Sequence, residues 1–372
     1  MEALSPSTVP FTLRGEPAGW RTESGEPSPS RVVEVDDRLT ADTALGRLRN
    51  GESLLYGGDY RNARQLLDAL ARRLRKHRGH PARSPLEAFR TEREAREREQ
   101  RTLSHLLVSM DAAYRLELRH APEVAPACSE AWGDPPDVRT VLPLKLLLGV
   151  LGAAEWRRKG LEVPGLKGRL RPRYGVFTPT RNEYVGLLLE APSPEGRRVF
   201  DIGTGTGVLA FVLLQRGAAH AVGTDLEPRA VASAREDAEL LGLADRFETL
   251  EADLFPPGRA DLVVCNPPWL PEHPRTRLDR AVFDPDSRFL RAFLAGLREH
   301  LAPGGQGYLL LSDLAERLGL RPAGFLEERF REAGLRVAWT KSTGAAHPRA
   351  KDPEDPLHAV RSAERVTLYA LE

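Results

Sequence analysis

Apolar and polar positions follow two rhythms along this chain, and the change comes near residue 190. Before it, helical spacing dominates. In NARQLLDALARRLRKH, Ala63, Leu66, Leu67, Leu70 and Leu74 recur at helical intervals with Arg and Lys between them, which predicts a helix with one apolar face. Glu87 to Leu107 predicts a second helix. Its first half, TEREAREREQR, reads as an exposed surface laced with ion pairs, and its end, TLSHLLVSM, is apolar enough to enter a core. VLPLKLLLGVLGAAEWRRKG gathers Leu146, Leu147, Leu148, Val150, Leu151 and Trp156 into a third, buried helix. Residues 1–30, rich in Pro, Ser, Gly and Glu, read as a flexible leader. The expectation is a leader over 1–30 and a mainly helical domain for substrate recognition over 31–165.

Beyond residue 190 short apolar runs alternate with amphipathic ones. RVFDIG, HAVGTD, RFETLEAD, ADLVVCNPP and GQGYLLLS read as strands. TGVLAFVLLQRG, EPRAVASAREDAELLG, SRFLRAFLAGLREHL and PAGFLEERFREAGL read as helices between them. This alternation predicts an α/β domain over 166–372, a Rossmann-like, mostly parallel sheet with helices on both faces. The last run, RVTLYALE, alternates well enough to close an edge.

Composition narrows the class without naming a function. The 54 Lys and Arg nearly balance 53 Asp and Glu, for a net charge of +1. The balance is uneven along the chain: 15 basic against 8 acidic residues from Arg61 to Arg119, and 9 against 2 from Arg139 to Arg173. Such stretches can meet phosphates, or can be solvated helix faces. No apolar run is long enough to span a membrane. The first residues do not have the pattern of a secretory signal, and two cysteines, Cys128 and Cys265, fit a reducing compartment, so a cytoplasmic location is expected. Neither cysteine lies in a CxxC or Cys/His cluster, and no metal site is expected.

The first chemical feature is the run Asp201–Ile202–Gly203–Thr204–Gly205–Thr206–Gly207, where a strand should turn into a helix. Glycines there permit a tight turn and close approach of a ligand to backbone N–H groups. The turn lacks GxGxxG spacing, and no GK[ST] follows, which argues against a dinucleotide fingerprint and a phosphate-binding P-loop. Asp225, with Leu226 after it, ends the second strand, where a carboxylate can accept both hydroxyls of a ribose. Asp253 follows the third strand, where it can accept from an adenine amino group while Leu254 offers a backbone N–H and an apolar wall. Asn266 ends the fourth.

VFDIGTGTG, GTDLEP, EADLF and CNPPW, in that order, resemble the class I S-adenosylmethionine-dependent methyltransferases. Within them the segment resembles the amino-methyltransferases that carry an Asn-Pro-Pro-aromatic motif. The resemblance covers roughly residues 175–335. It implies S-adenosyl-L-methionine as cofactor, with Asp201 near its methionine amino group, Asp225 and Asp253 on ribose and adenine, and Asn266 also among the residues at the cofactor. It also implies a catalytic role for Asn266, Pro267, Pro268 and Trp269. A delocalised nitrogen is a poor nucleophile. Asn266 can accept one of its N–H groups and the Pro267 carbonyl the other, and Trp269 can stack on the planar target.

Tyr174 to Tyr184 precedes the sheet, and its partial likeness to related lid segments makes Phe177, Thr180 and Glu183 lid candidates. His273 follows NPPW and is a candidate for the pocket mouth. His347 and His358 lie in the polar segment AAHPRAKDPEDPLHAV, a candidate substrate loop. The GVF wording at Gly175–Phe177 is similar to guanine-N2 methyltransferases of ribosomal RNA, and the stretch after NPPW is similar to release-factor glutamine methyltransferases. The basic first half favours an exocyclic amino group of an RNA base, in RNA or a ribosomal particle, as target. The alternatives are the N5 nitrogen of a protein glutamine and adenine N6 in DNA.

Overall fold

A computed structural model describes residues 8–23, 25–76, 82–178 and 181–372. The chain divides into two compact units, Met1–Arg83 with Glu87–Glu155, and Ser84–Leu86 with Trp156–Glu372. The division falls inside the helix Leu144–Lys159, ten residues before the boundary read from the sequence.

The first unit is built on a sheet, which corrects two expectations. Its strands are β1 (Thr8–Leu13), β2 (Glu16–Arg21), β3 (Val32–Val35), β4 (Ser53–Tyr56), β5 (Leu106–Met110) and β6 (Thr140–Pro143), in the spatial order β1-β2-β6-β5-β4-β3. The stretch expected to be a flexible leader supplies β1 and β2. They form a hairpin whose two loop residues, Arg14 and Gly15, both have positive φ, 54° and 82°, as a two-residue turn of the primed kind requires. The hairpin is ordered because Leu13, Ala18 and Trp20 bury against Leu55, Leu107 and Val141. The domain expected to be mainly helical is α/β. Its helices Ala41–Arg49, Tyr60–Lys76 and Pro85–Leu103 connect the parallel strands β3, β4 and β5. The run LLVSM, read as a helix end, is β5, with Leu106, Leu107, Val108 and Met110 buried. Trp156, assigned above to a buried helix, is 62% exposed.

The second unit has strands β7 (Arg198–Ile202), β8 (His220–Asp225), β9 (Phe247–Glu251), β10 (Ala260–Cys265), β11 (Leu301–Ser312), β12 (Val337–Gly344) and β13 (Arg365–Leu371). Their order is β12-β13-β11-β10-β7-β8-β9, with β7 to β11 parallel and β13 antiparallel to both its neighbours. The run RVTLYALE is therefore an inner strand, and the edge is β12. Phe200, Ile202, Val263 and Cys265 point to the helices Arg288–His300 and Phe325–Glu332. Val199, Leu262 and Val264 point to the helices Glu183–Leu189, Val208–Gln215 and Pro228–Leu240. The alternation of sides along each strand thus produces the doubly wound, Rossmann-like sheet. The chain runs outward from β7 to β9, then returns to β10 beside β7. That reversal opens a crevice at the carboxyl ends of β7 and β10, where ligands bind in open α/β sheets.

Candidate functional site

The glycine turn lies at the β7 side of this crevice. Gly203, Gly205 and Gly207 have φ of 68°, 55° and 79°, in the left-handed region that residues with a Cβ seldom adopt. A Cβ at Gly207 would stand 2.5 Å from the Phe211 ring, whereas one at Gly205 would meet nothing within 4 Å. The space above Gly205 is therefore open. Thr204 and Thr206 are buried. The Thr204 N–H donates to the Thr224 carbonyl (2.7 Å) and the Gly207 N–H to the Thr204 carbonyl (2.8 Å).

Two carboxylates brace the turn. Asp201 Oδ2 accepts from the Thr204 hydroxyl (2.8 Å) and the Ala210 N–H (3.2 Å). Burial pushes the Asp201 carboxyl up to about 6, against the pull of those two donors. Asp225 Oδ2 accepts from the Gly205 N–H (3.0 Å) and Oδ1 from the Glu227 N–H (2.9 Å), and burial raises this carboxyl too. The Ala252 N–H donates to the Asp225 carbonyl (3.2 Å), which fixes the end of β9 against the end of β8. Leu254 turns with φ 72°, its carbonyl held by the Thr224 hydroxyl. Leu226, just past β8, is 61% exposed, and Asp253, two residues past β9, is exposed. An open glycine, the Asp225 carboxylate, an exposed leucine and an exposed carboxylate at Asp253 fit a nucleoside cofactor.

Asn266, Pro267, Pro268 and Trp269 leave β10 on the other side of the crevice. The loop is pinned downstream, where the Leu270 N–H donates to the Val282 carbonyl (3.1 Å) and the Asp284 N–H to the Leu270 carbonyl (2.8 Å). Buried Arg321 donates to the Trp269 carbonyl (3.2 Å). Asp284 caps the following helix by accepting from the Phe289 (2.9 Å) and Leu290 (3.1 Å) N–H groups.

The Trp269 indole N–H donates to Asn266 Oδ1 at 2.9 Å, and the Arg181 guanidinium lies 4.8 Å from the centre of the Trp269 ring. Arg181 is held by Glu183 (2.5 Å) and by Glu364 (3.0 Å), which also accepts from the Ser312 hydroxyl (2.6 Å). Ser312 ends β11 and Glu364 immediately precedes β13, so the cluster gathers at the carboxyl end of the sheet. Sequence reasoning missed Arg181, Ser312 and Glu364. The nearest signal was the lid segment, from which it took Glu183 and passed over Arg181.

The other candidates divide. Glu183 joins the site through Arg181. Phe177 is 41% exposed, and Thr180 lies outside the described residues. His273 is exposed in the loop after Leu270. The His347 ring accepts from the Arg349 N–H (3.1 Å) and is held below its ordinary range by burial and by the charges of Arg181, Arg349 and Arg361. His358 opens the short helix His358–Ala363, and its Nδ1 is buried without a hydrogen-bond partner.

Residues 187–267 match the family model described as ribosomal protein L11 methyltransferase (PrmA). The chain is 38% identical over 161 residues to a release factor glutamine methyltransferase of Cereibacter sphaeroides, covering 40% of this chain and 57% of that enzyme. It thus spans little more than half of that relative's length. It is 33% identical over 180 residues to a putative protein N5-glutamine methyltransferase of Methanocaldococcus jannaschii, covering 45% of this chain and 89% of that protein. Among solved structures, a putative RNA methyltransferase from Pyrococcus horikoshii aligns at 23% identity over 60% of this chain and 98% of its own, with a TM-score of 0.38, a likeness too distant to bear on function.

Proposed function

Because this chain belongs to the S-adenosylmethionine-dependent methyltransferase family, we propose that it methylates the side-chain amide nitrogen of a glutamine in a protein. The observation that carries the reading is Asn266, which directly follows β10, the strand whose last residue, Cys265, pairs in register with Ile202 just before the glycine turn of β7. The two prolines after it remove two backbone donors from the vicinity and leave acceptors. A primary amide offers two N–H groups. Asn266 Oδ1 accepts one and the Pro267 carbonyl the other, which orients the nitrogen lone pair and stabilises the charge that develops on it. The nitrogen bonds to the methyl carbon as that carbon's bond to sulfur breaks, the sulfur keeps the bonding pair and leaves in S-adenosylhomocysteine, and the nitrogen loses one proton to water.

S-adenosylmethionine supplies an electrophilic methyl group on a positively charged sulfur. For holding it, this chain would offer Asp225 to the ribose, Asp253 and Leu254 to the adenine, and the turn Gly203–Gly207 as a close backbone surface; Asp201, expected from the sequence near the amino group, is 1% exposed and acts on the turn through Thr204 and Ala210 instead.

An amide target is favoured over an RNA base on two grounds. The two relatives named above bear names specifying protein targets. The basic stretches that favoured RNA are also partly neutralised. Arg73 pairs with Asp42 (2.7 Å), Arg75 with Glu99 (2.8 Å), Arg96 with Glu92 (2.6 Å), Arg101 with Glu97 (2.8 Å) and Arg157 with Glu236 (2.7 Å). Carboxylates among the arginines weaken the field that a phosphate backbone would meet.

The test is to supply methyl-labelled S-adenosylmethionine to the protein with separated RNA and protein fractions from cells lacking the gene. Label in a protein band, absent with Asn266→Ala, supports the reading. Label confined to RNA nucleosides overturns it.

A further inference from the structure

We propose that Trp269 is a positioning residue that fixes the side-chain amide of Asn266, and that Arg181 holds Trp269 in place to do so. The inference rests on the reading of Asn266 as the acceptor for the target nitrogen.

A side-chain amide can turn over, exchanging its oxygen for its NH2. The exchange matters here because only the oxygen can accept from a target N–H. An indole N–H is a donor and never an acceptor, so a Trp269 nitrogen 2.9 Å away demands the oxygen. The carbonyl oxygen has two acceptor positions. With one occupied by Trp269, the other remains for the substrate, and its direction is set. The reversed amide would put NH2 against both the indole and the target, and each contact would be donor against donor.

The indole in turn is fixed from three sides. Its nitrogen is on Asn266, its backbone carbonyl is on buried Arg321, and its ring is covered by Arg181. Arg181 cannot drift far, since Glu183 and Glu364 hold it and Glu364 is itself 2% exposed. Phenylalanine or tyrosine at position 269 would retain an aromatic face but could not make this indole bond, so the amide lock is a consequence of tryptophan at this position.

The test uses the full chain in two measurements. In the first, Trp269→Phe and Arg181→Met are assayed for transfer of labelled methyl to the protein fraction. Expected for Trp269→Phe is a kcat lower by about tenfold, the order of one lost hydrogen bond. The KM for S-adenosylmethionine should stay within about twofold, since Trp269→Phe leaves the glycine turn and its bond to Asp225 unchanged. Arg181→Met should move kcat the same way by less. An unchanged or faster kcat in Trp269→Phe overturns the proposal, the faster rate because it would make the indole a plug on the acceptor.

The second measurement needs no substrate. The indole resonance of Trp269, identified in the 15N–1H spectrum by its loss in Trp269→Phe, should shift and exchange faster with solvent in Asn266→Ala. An indole resonance untouched by Asn266→Ala overturns the lock. If wild-type protein methylates no protein, the glutamine reading fails while this spectrum still decides the lock.

Discussion

The backbone N–H of Gly205 donates to Asp225 Oδ2 across 3.0 Å, so the glycine turn after β7 is tied to the end of β8. The same carboxylate is the group proposed to meet the ribose. Removing it should both loosen the turn and take away the ribose acceptors. Asp225→Ala is expected to weaken binding of S-adenosylhomocysteine by tenfold or more, about 1.4 kcal/mol, by titration calorimetry. Asp225→Asn, which can still accept from Gly205, should lose less. Unchanged affinity in the alanine variant would remove Asp225 from the cofactor site.

Asp201 makes stability depend on pH. Its carboxyl lies at about 6 in the folded chain, against an ordinary 3.8, because burial disfavours the charge. Between those values the folded state binds more protons than the unfolded one, so stability falls as pH rises from about 4 to about 6. Above that window the loss is full, on the order of 3 kcal/mol for a shift of this size. Asp237, also pushed up to about 6 by burial, adds a loss of the same sign. Asp201→Asn, which can still accept from Thr204 and Ala210, should therefore gain stability relative to wild type at pH 7.5 but not at pH 4. Urea unfolding of the two proteins at both pH values measures it, and an equal difference at the two would show that Asp201 is not titrating as described.

The β1–β2 hairpin should matter to stability although it lies in what reads as a leader. Trp20 is buried, packs against Leu55, Leu107 and Val141, and donates to the Glu26 carbonyl (2.9 Å). Trp20→Ala should cost about 3 kcal/mol or more, as truncation of a buried aromatic does. Denaturant unfolding measures it. A variant as stable as wild type would mean that the hairpin contributes nothing to this sheet.

The second unit was the more legible of the two because each of its signals is long or chemically distinctive. RVFDIGTGTG joins a strand pattern to three glycines that the turn requires, and the acids at 201, 225 and 253 fall at strand ends. The first unit was misread for a physical reason. VVEV, SLLY and TVLP are four-residue strands, too short to show alternation. LLVSM continues the apolar pattern of the helix before it, separated only by Ser104 and His105. The hairpin TVPFTL–EPAGWR carries prolines and a glycine, and so has the composition of a disordered segment while burying Trp20. At the site, Asn266 and Trp269 were legible as a motif, but the bond between their side chains was not. The contact with Arg181 was not legible either, because it joins residues more than 80 positions apart.

The most direct test of the central claim is to identify the methylated product. Protein labelled by wild-type enzyme with methyl-labelled S-adenosylmethionine would be hydrolysed in acid. A methyl group on a glutamine amide leaves as labelled methylamine when the amide is cleaved, with glutamate left behind. The account predicts that methylamine carries the label, and that Asn266→Ala yields none while binding S-adenosylhomocysteine about as well as wild type. Label that stays on an amino acid other than glutamine, or appears only in methylated nucleosides, would contradict it.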